Sequence, residues 1–175
     1  TGRCGYAISN CHVLVRRTDM ETPTAAVELV KKWEGLHKLG KDGLVYPYIC
    51  PAGVWTIGYG STRHFDGSRI QKDTKPLSPK ECEQLLLIEL DKCVRQALSY
   101  SPVLITNEDA LSAIASFIYN LGGTSYYRST LRRKVNDRDW DAARTEIRRW
   151  VWGGGRRLPG LIARREEESQ YLARV

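Results

Sequence analysis

Apolar side chains recur at intervals of three and four in the first part of the chain that has a regular pattern. This spacing predicts a helix that begins near Thr24, with Thr24 itself as the N-cap. Gly40 and Gly43 are expected to break the helix, because glycine favours non-helical backbone. The apolar residues of the helix face are Ala26, Val27, Val30, Trp33 and Leu36.

A different pattern follows between Leu44 and Gly67. β-Branched and aromatic residues stand between glycines in this segment, which predicts two or three short strands. The Ser-Pro-Lys-Glu sequence at 78–81 is a capping box with proline at the first helical position. It predicts a second helix that runs to about Ser99.

The segment 110–121 is apolar nearly all round. A helix without a polar face is buried, so this segment predicts the central helix, which begins near Thr106 or Asn107 and ends at Gly122 and Gly123. Three shorter amphipathic helices follow, at about 125–135, 137–151 and 159–173. The elements predict an α+β, mostly helical fold, in which a small β-rich lobe is inserted into a larger helical lobe.

The first nineteen residues show no sustained period, and Met20 is the only methionine. We therefore expect 1–19 to be an N-terminal extension, either disordered or added upstream of a natural start at Met20. The remaining 20–175 have the size of one ordinary domain. A single domain over 20–175 is the prediction.

The charge of the chain is basic and unevenly spread. Lys and Arg number 27 against 20 Asp and Glu, a net charge of +7. In 128–175 there are 13 basic and 7 acidic residues. Such a field favours a polyanionic partner such as nucleic acid, an anionic membrane or an acidic wall polymer, with a solvated helix surface as the simpler reading. The chain contains no run of eighteen apolar residues, so no membrane span is predicted. No standard signal peptide is recognised.

The cysteines argue against two common uses. There are five, an odd number, without a Cys-x-x-Cys pair, a pattern unlike a disulfide scaffold or a zinc ribbon. Cys82 and Cys93 fall on one predicted helix, too far apart to bond. The three histidines are dispersed along the chain, so we predict no metal site. Synthesis in a reducing cytoplasm suits this composition.

One glutamate stands where acid chemistry is feasible. Glu34 lies beside Trp33 at the end of the first predicted helix, where its carboxyl would be partly desolvated. Desolvation favours the protonated form that a general acid needs. The glycine-rich turn at 55–60 would bring Thr56 near this helix end. A solvated or ion-paired glutamate is the competing interpretation.

Several motifs then stand in a recognisable order. They are Glu34-Gly35, Trp-Thr-Ile-Gly-Tyr-Gly at 55–60, Phe-Ile-Tyr-Asn-Leu-Gly at 117–122 and Leu-Pro-Gly-Leu at 158–161. With them the chain resembles the phage-type lysozymes, the endolysins of glycoside hydrolase family 24, over about 24–173. The resemblance implies a lysozyme-like fold. It also implies hydrolysis of the β-1,4 bond between N-acetylmuramic acid and N-acetylglucosamine in bacterial peptidoglycan, for host cell lysis, without a cofactor.

The resemblance assigns catalytic roles residue by residue. Glu34 matches the general acid of the family, and Thr56 matches the threonine that helps to position the attacking water. Cys50 stands where the family has aspartate, and it either takes over the aspartate's role as base or nucleophile or is a small packed hydrophobe. Glu34 and Cys50 are 16 positions apart, wider than the family's usual spacing, so the loop 40–46 looks inserted. Asp42 in this loop is a possible substitute carboxylate, in a sequence typical of a solvated turn.

Tyr119 and Asn120 match the end of the central helix, where the family's cleft lies, so they are candidates for contact with sugar. The resemblance implies peptidoglycan glycan strands as the partner, with no nucleic acid and no membrane anchor. We expect a monomer that stays in the host cytoplasm until lysis and needs a holin to reach the wall. A lytic transglycosylase and a peptidoglycan-binding homologue without catalysis remain alternatives, and nucleic-acid binding is a third.

Overall fold

The structure is a computed structural model that describes residues 21–173. The predicted extension at 1–19 lies outside the described residues. Seven α-helices, one 3-10 helix and two small antiparallel hairpins make up the described part. No helix in this part is both long and apolar enough to cross a membrane.

The first helix, α1, spans Thr24–Glu34. Thr24 is its first helical residue and Pro23 occupies the N-cap position without a side-chain cap, so the prediction of Thr24 as N-cap is wrong. The helix ends earlier than Gly40, because Gly35 adopts a φ of 68° and its N–H bonds back to the carbonyl of Lys31. This early end makes Glu34 the last helical residue.

Two long helices follow the β lobe. The capping box predicted at 78–81 is present: the Ser78 hydroxyl accepts from the Glu81 N–H, and the Glu81 carboxylate accepts from the Ser78 N–H. Helix α2 spans Pro79–Tyr100 and is followed by a 3-10 helix at Pro102–Thr106. Helix α3 spans Glu108–Leu121 and is capped by the Asn107 side chain.

The C-terminal third is divided more finely than the periodicity predicts. The predicted helix at 125–135 is two helices, because the Ser129 side chain caps a new one. The predicted helix at 137–151 ends at Ile147, and a hairpin turning at Gly154 and Gly155 follows. The elements are α4 (Gly123–Tyr127), α5 (Thr130–Asn136), α6 (Trp140–Ile147), β3 (Trp152–Gly153), β4 (Arg156–Arg157) and α7 (Pro159–Tyr171).

The β lobe has two strands, as the pattern between 44 and 67 predicts. Strand β1 (Tyr48–Ile49) pairs antiparallel with β2 (Trp55–Thr56), with Tyr48 opposite Thr56. The lobe joins the helical body closely at Gly58. A side chain there would meet Cys82 of α2, and the φ of 63° is one that glycine tolerates best.

The core is centred on α3, which packs against α1, α2 and α7. Every residue of α3 from Ala110 to Ile118 is buried, as its uniformly apolar sequence predicts. The predicted fold class is confirmed: a helical lobe with a small β lobe inserted early in the chain. Helices α1, α3 and α7 therefore meet behind the C-terminal end of α1.

Candidate active site

Glu34 is held by a buried guanidinium. As the last residue of α1 it lies where the helix dipole disfavours negative charge. Nη1 of Arg164, on α7, donates to Oε1 of Glu34 at 2.6 Å. The Arg164 side chain is only 4% exposed, whereas that of Glu34 is 24% exposed. The carboxyl therefore reaches solvent from a fixed position.

A second buried carboxylate stands behind this pair. Glu168, one turn further along α7, accepts from Nε of Arg164 at 3.2 Å and from Nη2 of Arg165 at 2.9 Å. The Ser116 hydroxyl of α3 donates to the same oxygen of Glu168 at 2.7 Å. Sequence reasoning missed Arg164 and Glu168 as site residues. One sequence signal for these residues is their spacing: Arg164 and Glu168 are four positions apart, so they lie one turn apart on the same face of α7.

The glycine turn approaches Glu34 from the β lobe, as its sequence predicts. Thr56 of β2 is 2% exposed, and its hydroxyl donates to the carbonyl of Val54 at 2.9 Å. Ile57 and Ser61 then pair and close the turn. A Cβ added to Gly60 would lie 4.0 Å from Oε2 of Glu34, so the backbone of this turn faces the acid.

Cys50 follows β1 at the start of the hairpin turn. Its thiol is half-buried and free. The N–H of Val54 contributes most to lowering the pKa of this thiol, followed by the Thr56 hydroxyl and the N–H of Ala52. These donors favour the thiolate, the form that acts as a nucleophile or base. Cys50 and Thr56 thus share one site on the β lobe.

Tyr48 interacts electrostatically with both Cys50 and Glu34. Burial raises the pKa of its hydroxyl most, and the negative charges of Cys50 and Glu34 add to the rise. Tyr48 therefore lies within electrostatic reach of both groups. Cys50 and Thr56 lie on one β hairpin, and Glu34 at the end of α1 faces the Gly60 turn that follows this hairpin.

Tyr119 and Asn120 lie at the end of α3 with their polar atoms engaged. The Tyr119 hydroxyl is 3.1 Å from the carbonyl oxygen of Tyr59 and 3.2 Å from Oε2 of Glu89. Oδ1 of Asn120 accepts from Nη2 of Arg165 at 3.3 Å. Their protein contacts point to positioning of the turn and of α7, and contact with sugar stays a prediction.

Asp42 is engaged within its own loop. Its carboxylate accepts from the Tyr46 hydroxyl at 2.6 Å and from the Leu44 N–H at 3.1 Å, and these bonds lower its pKa. Both Asp42 and Tyr46 are exposed. This is the behaviour of a solvated turn.

The remaining described thiols have a different environment. Burial raises the pKa of Cys82 to about 11 and that of Cys93 to about 12. Both are free, in keeping with the distance predicted between them on α2. Within residues 21–173, no three His, Cys, Asp or Glu side chains converge as metal ligands would.

A glutamate at a helix end, facing a small β lobe that carries a free thiol, fits one class of protein. It is the lysozyme-type glycoside hydrolases, in which two groups act across one glycosidic bond. Comparisons with known proteins identify the family within this class.

The family description Phage lysozyme matches residues 31–168. A SAR-endolysin of Enterobacteria phage PA-2 is 37% identical over 132 residues, which cover 75% of this chain and 76% of that protein. A SAR-endolysin of bacteriophage PS119 is 38% identical over 130 residues, 74% of each chain. The endolysin from Escherichia coli O157:H7 phage FAHEc1 superposes with a TM-score of 0.74 at 25% identity, covering 88% of this chain and 94% of that chain.

The chain belongs to the phage lysozyme family. It is a glycoside hydrolase, a lytic muramidase of the endolysin type whose family acts on peptidoglycan. The family resemblance inferred from the motifs is confirmed. The relatives do not favour the transglycosylase or the non-catalytic alternative.

Proposed function

We propose that Glu34 is the general acid of this muramidase. It gives its proton to the oxygen that joins N-acetylmuramic acid to N-acetylglucosamine as that bond breaks. The observation that carries the proposal is the position of Glu34: its carboxyl is anchored on one side by buried Arg164 and faces the Gly60 turn on the other. Anchoring supports catalysis because a fixed acid needs no reorganisation when substrate arrives.

Cys50 takes the second role as a thiolate. The donors around it stabilise negative charge, which a packed hydrophobe would not require. A thiolate there can accept a proton from the attacking water or attack the anomeric carbon itself. Thr56, whose hydroxyl adjoins this thiol, positions the water. A base gives a product with inverted configuration, whereas a nucleophile gives retention.

Tyr119 and Asn120 are proposed to shape the sugar-binding surface. Tyr119 does so through the backbone of the Gly60 turn, since its hydroxyl lies beside the Tyr59 carbonyl. Asn120 does so through Arg165, to which its side-chain oxygen is bonded. Substitution of Tyr119 by Phe should therefore raise KM more than it lowers kcat.

Assembly and the route to the wall stay predictions: a monomer, held in the host cytoplasm until a holin opens the way. Size-exclusion chromatography with light scattering tests the first. Fractionation of expressing cells, with and without a holin, tests the second. Protein found outside the cytoplasm before the holin acts would overturn the predicted route.

Mass spectrometry of the products released from purified peptidoglycan tests the assignment of the reaction. Wild type should release fragments with a reducing-end muramic acid, and Glu34→Gln should release none. Anhydro-muramic acid would instead show a transglycosylase. Retained binding without release by wild type would show a non-catalytic protein.

A further inference from the structure

Arg164 serves two carboxylates. Its Nη1 donates to Glu34 at 2.6 Å and its Nε donates to Glu168 at 3.2 Å. Its Nη2 donates to the carbonyl and to the hydroxyl of Ser116, both at 3.2 Å. All three nitrogens are therefore occupied, and the guanidinium cannot turn toward either carboxylate alone.

Glu168 has no access to solvent. Its side chain is 0% exposed, and so is that of Arg165, which lies 2.9 Å from Oε2 of Glu168 through its Nε. Burial raises the pKa of Glu168 most, and the two guanidinium groups and the Ser116 hydroxyl oppose that rise. Formal charges alternate along Glu34, Arg164, Glu168 and Arg165, and they sum to zero.

Stability does not account for such a cluster. Desolvation of buried charges is costly, and apolar replacements of similar volume are often as stable or more so. The cluster ends at the surface in the one group that we propose as the acid. Its place in the fold thus points to the chemistry of Glu34.

We propose that Glu168 is a positioning residue for the acid: it shares Arg164 with Glu34 and so limits the positive charge that Glu34 experiences. A general acid that faced an unshared guanidinium would lose its proton too readily to give it to a leaving group. The inference rests on the proposed role of Glu34.

The other groups near this cluster are few within the described residues. Besides Arg164, Glu34 interacts electrostatically with Arg165 from α7, Tyr119 from α3 and Tyr48 from β1. Cys50 lies beside Tyr48. Only Arg164 and Arg165 carry positive charge in this set, and Glu168 bonds to both.

The test is the pH dependence of kcat/KM for Glu168→Gln on a soluble glycan substrate. Glutamine keeps the shape and the acceptor oxygen and removes the charge. The reaction needs a protonated acid and an ionised Cys50, so the profile has two limbs. The limb of Cys50 is the one that moves in Cys50→Asp, and the other limb reports loss of the proton from the acid in the free enzyme. We expect this limb to move to lower pH by on the order of one unit.

Two variants separate charge from packing. Glu166→Gln, on the same helix, removes a surface carboxylate that pairs with Arg148, and it should leave both activity and the limb of the acid unchanged. Ser116→Ala removes a bond to Glu168 without changing any charge. It should lower the melting temperature and leave the limb in place.

Arg165→Met should move the limb in the opposite direction from Glu168→Gln. Without Arg165, the charge of Glu168 acts on Arg164 alone, so Glu34 should keep its proton to higher pH and the limb should move up. This variant also keeps the proposal testable if Glu168→Gln does not fold. An unmoved limb in the folded charge variants, or an equal movement in Ser116→Ala, would overturn the proposal.

Glu34→Gln keeps this test distinct from that of the acid itself. If Glu34→Gln retains activity, the proposed acid is wrong and the inference about Glu168 fails with it. If Glu34→Gln is inactive and the limb does not move in the charge variants, only the role of Glu168 is wrong.

Discussion

The two sides of the proposed active site are built in opposite ways. On the helical side, Glu34 is fixed by a buried cluster drawn from α1, α3 and α7. On the β side, Cys50 lies on a hairpin of two-residue strands with an exposed turn at 51–54. The proposed acid is positioned by charged side chains, whereas nearby N–H groups contribute most to lowering the pKa of the Cys50 thiol.

This difference indicates which side tolerates substitution. A group that depends on backbone donors keeps them when its side chain changes, so another anion can occupy the position of Cys50. A group that depends on matched buried charges loses its setting when one charge is removed. Substitutions on the two sides should therefore differ in their effect on activity.

Glu34→Gln should give the largest effect. Loss of the proton donor should lower the rate of peptidoglycan cleavage by about 10²–10⁴-fold. The amide oxygen can still accept from Arg164, so the melting temperature should change little. Turbidity assays on cell walls and thermal unfolding measure the two quantities. Full lytic activity in this variant would remove Glu34 from the mechanism.

Cys50→Ala should lower activity nearly as far, by about 10²-fold or more, because it removes the second reactive group. Cys50→Asp should keep or raise activity, because the same N–H donors can hold a carboxylate. The two variants should be compared with wild type on one substrate at one pH. Normal activity in Cys50→Ala would leave Cys50 with a packing role only.

Alkylation of Cys50 should lower activity as the Cys50→Ala substitution does. Iodoacetamide should modify Cys50 before Cys82 and Cys93, because the pKa of Cys50 is lowered whereas burial raises theirs to about 11 and about 12. The labelling rate should rise with pH as the thiolate forms. Peptide mapping follows each thiol, and activity should fall in step with Cys50. If Cys50→Asp is inactivated at the same rate, another thiol is responsible.

Asp42→Asn should have the smallest effect, within about twofold of wild type, because the carboxylate serves its own loop. The same change in a Cys50→Ala background sharpens the test. Residual activity there should be unaffected. Its disappearance would show that Asp42 supplies a second carboxylate.

The sequence predicts local structure well where one motif decides it. The capping box at 78–81 and the apolar run at 110–121 each have one physical outcome, and both are confirmed. Helix α1 ends earlier than the sequence predicts, because Gly35, rather than Gly40 or Gly43, adopts the positive φ that ends it. The helix predicted at 125–135 is divided for a similar reason, since Ser129 lies between two helices and is the N-cap of the second.

The burial of the charged cluster does not follow from the local spacing of its residues. Arg164 and Glu168 stand in a run of charged residues that is typical of a solvated helix face. Their burial depends on contacts with Ser116 and with Glu34, which is 130 positions away from Arg164. A single sequence does not show which distant residues meet. The candidate acid was therefore identified by resemblance, and its anchor only by the structure.

The ion pair between Glu34 and Arg164 also has a consequence for the order of synthesis. A ribosome completes α1 and the β lobe long before it reaches α7, so the acid emerges without its anchor. Helix α7 carries the further contacts of Glu167 with Lys32 and Trp33, which seat it against α1. Nascent chains and products truncated before Pro159 should therefore be inactive, and the enzyme gains its activity only with its final helix.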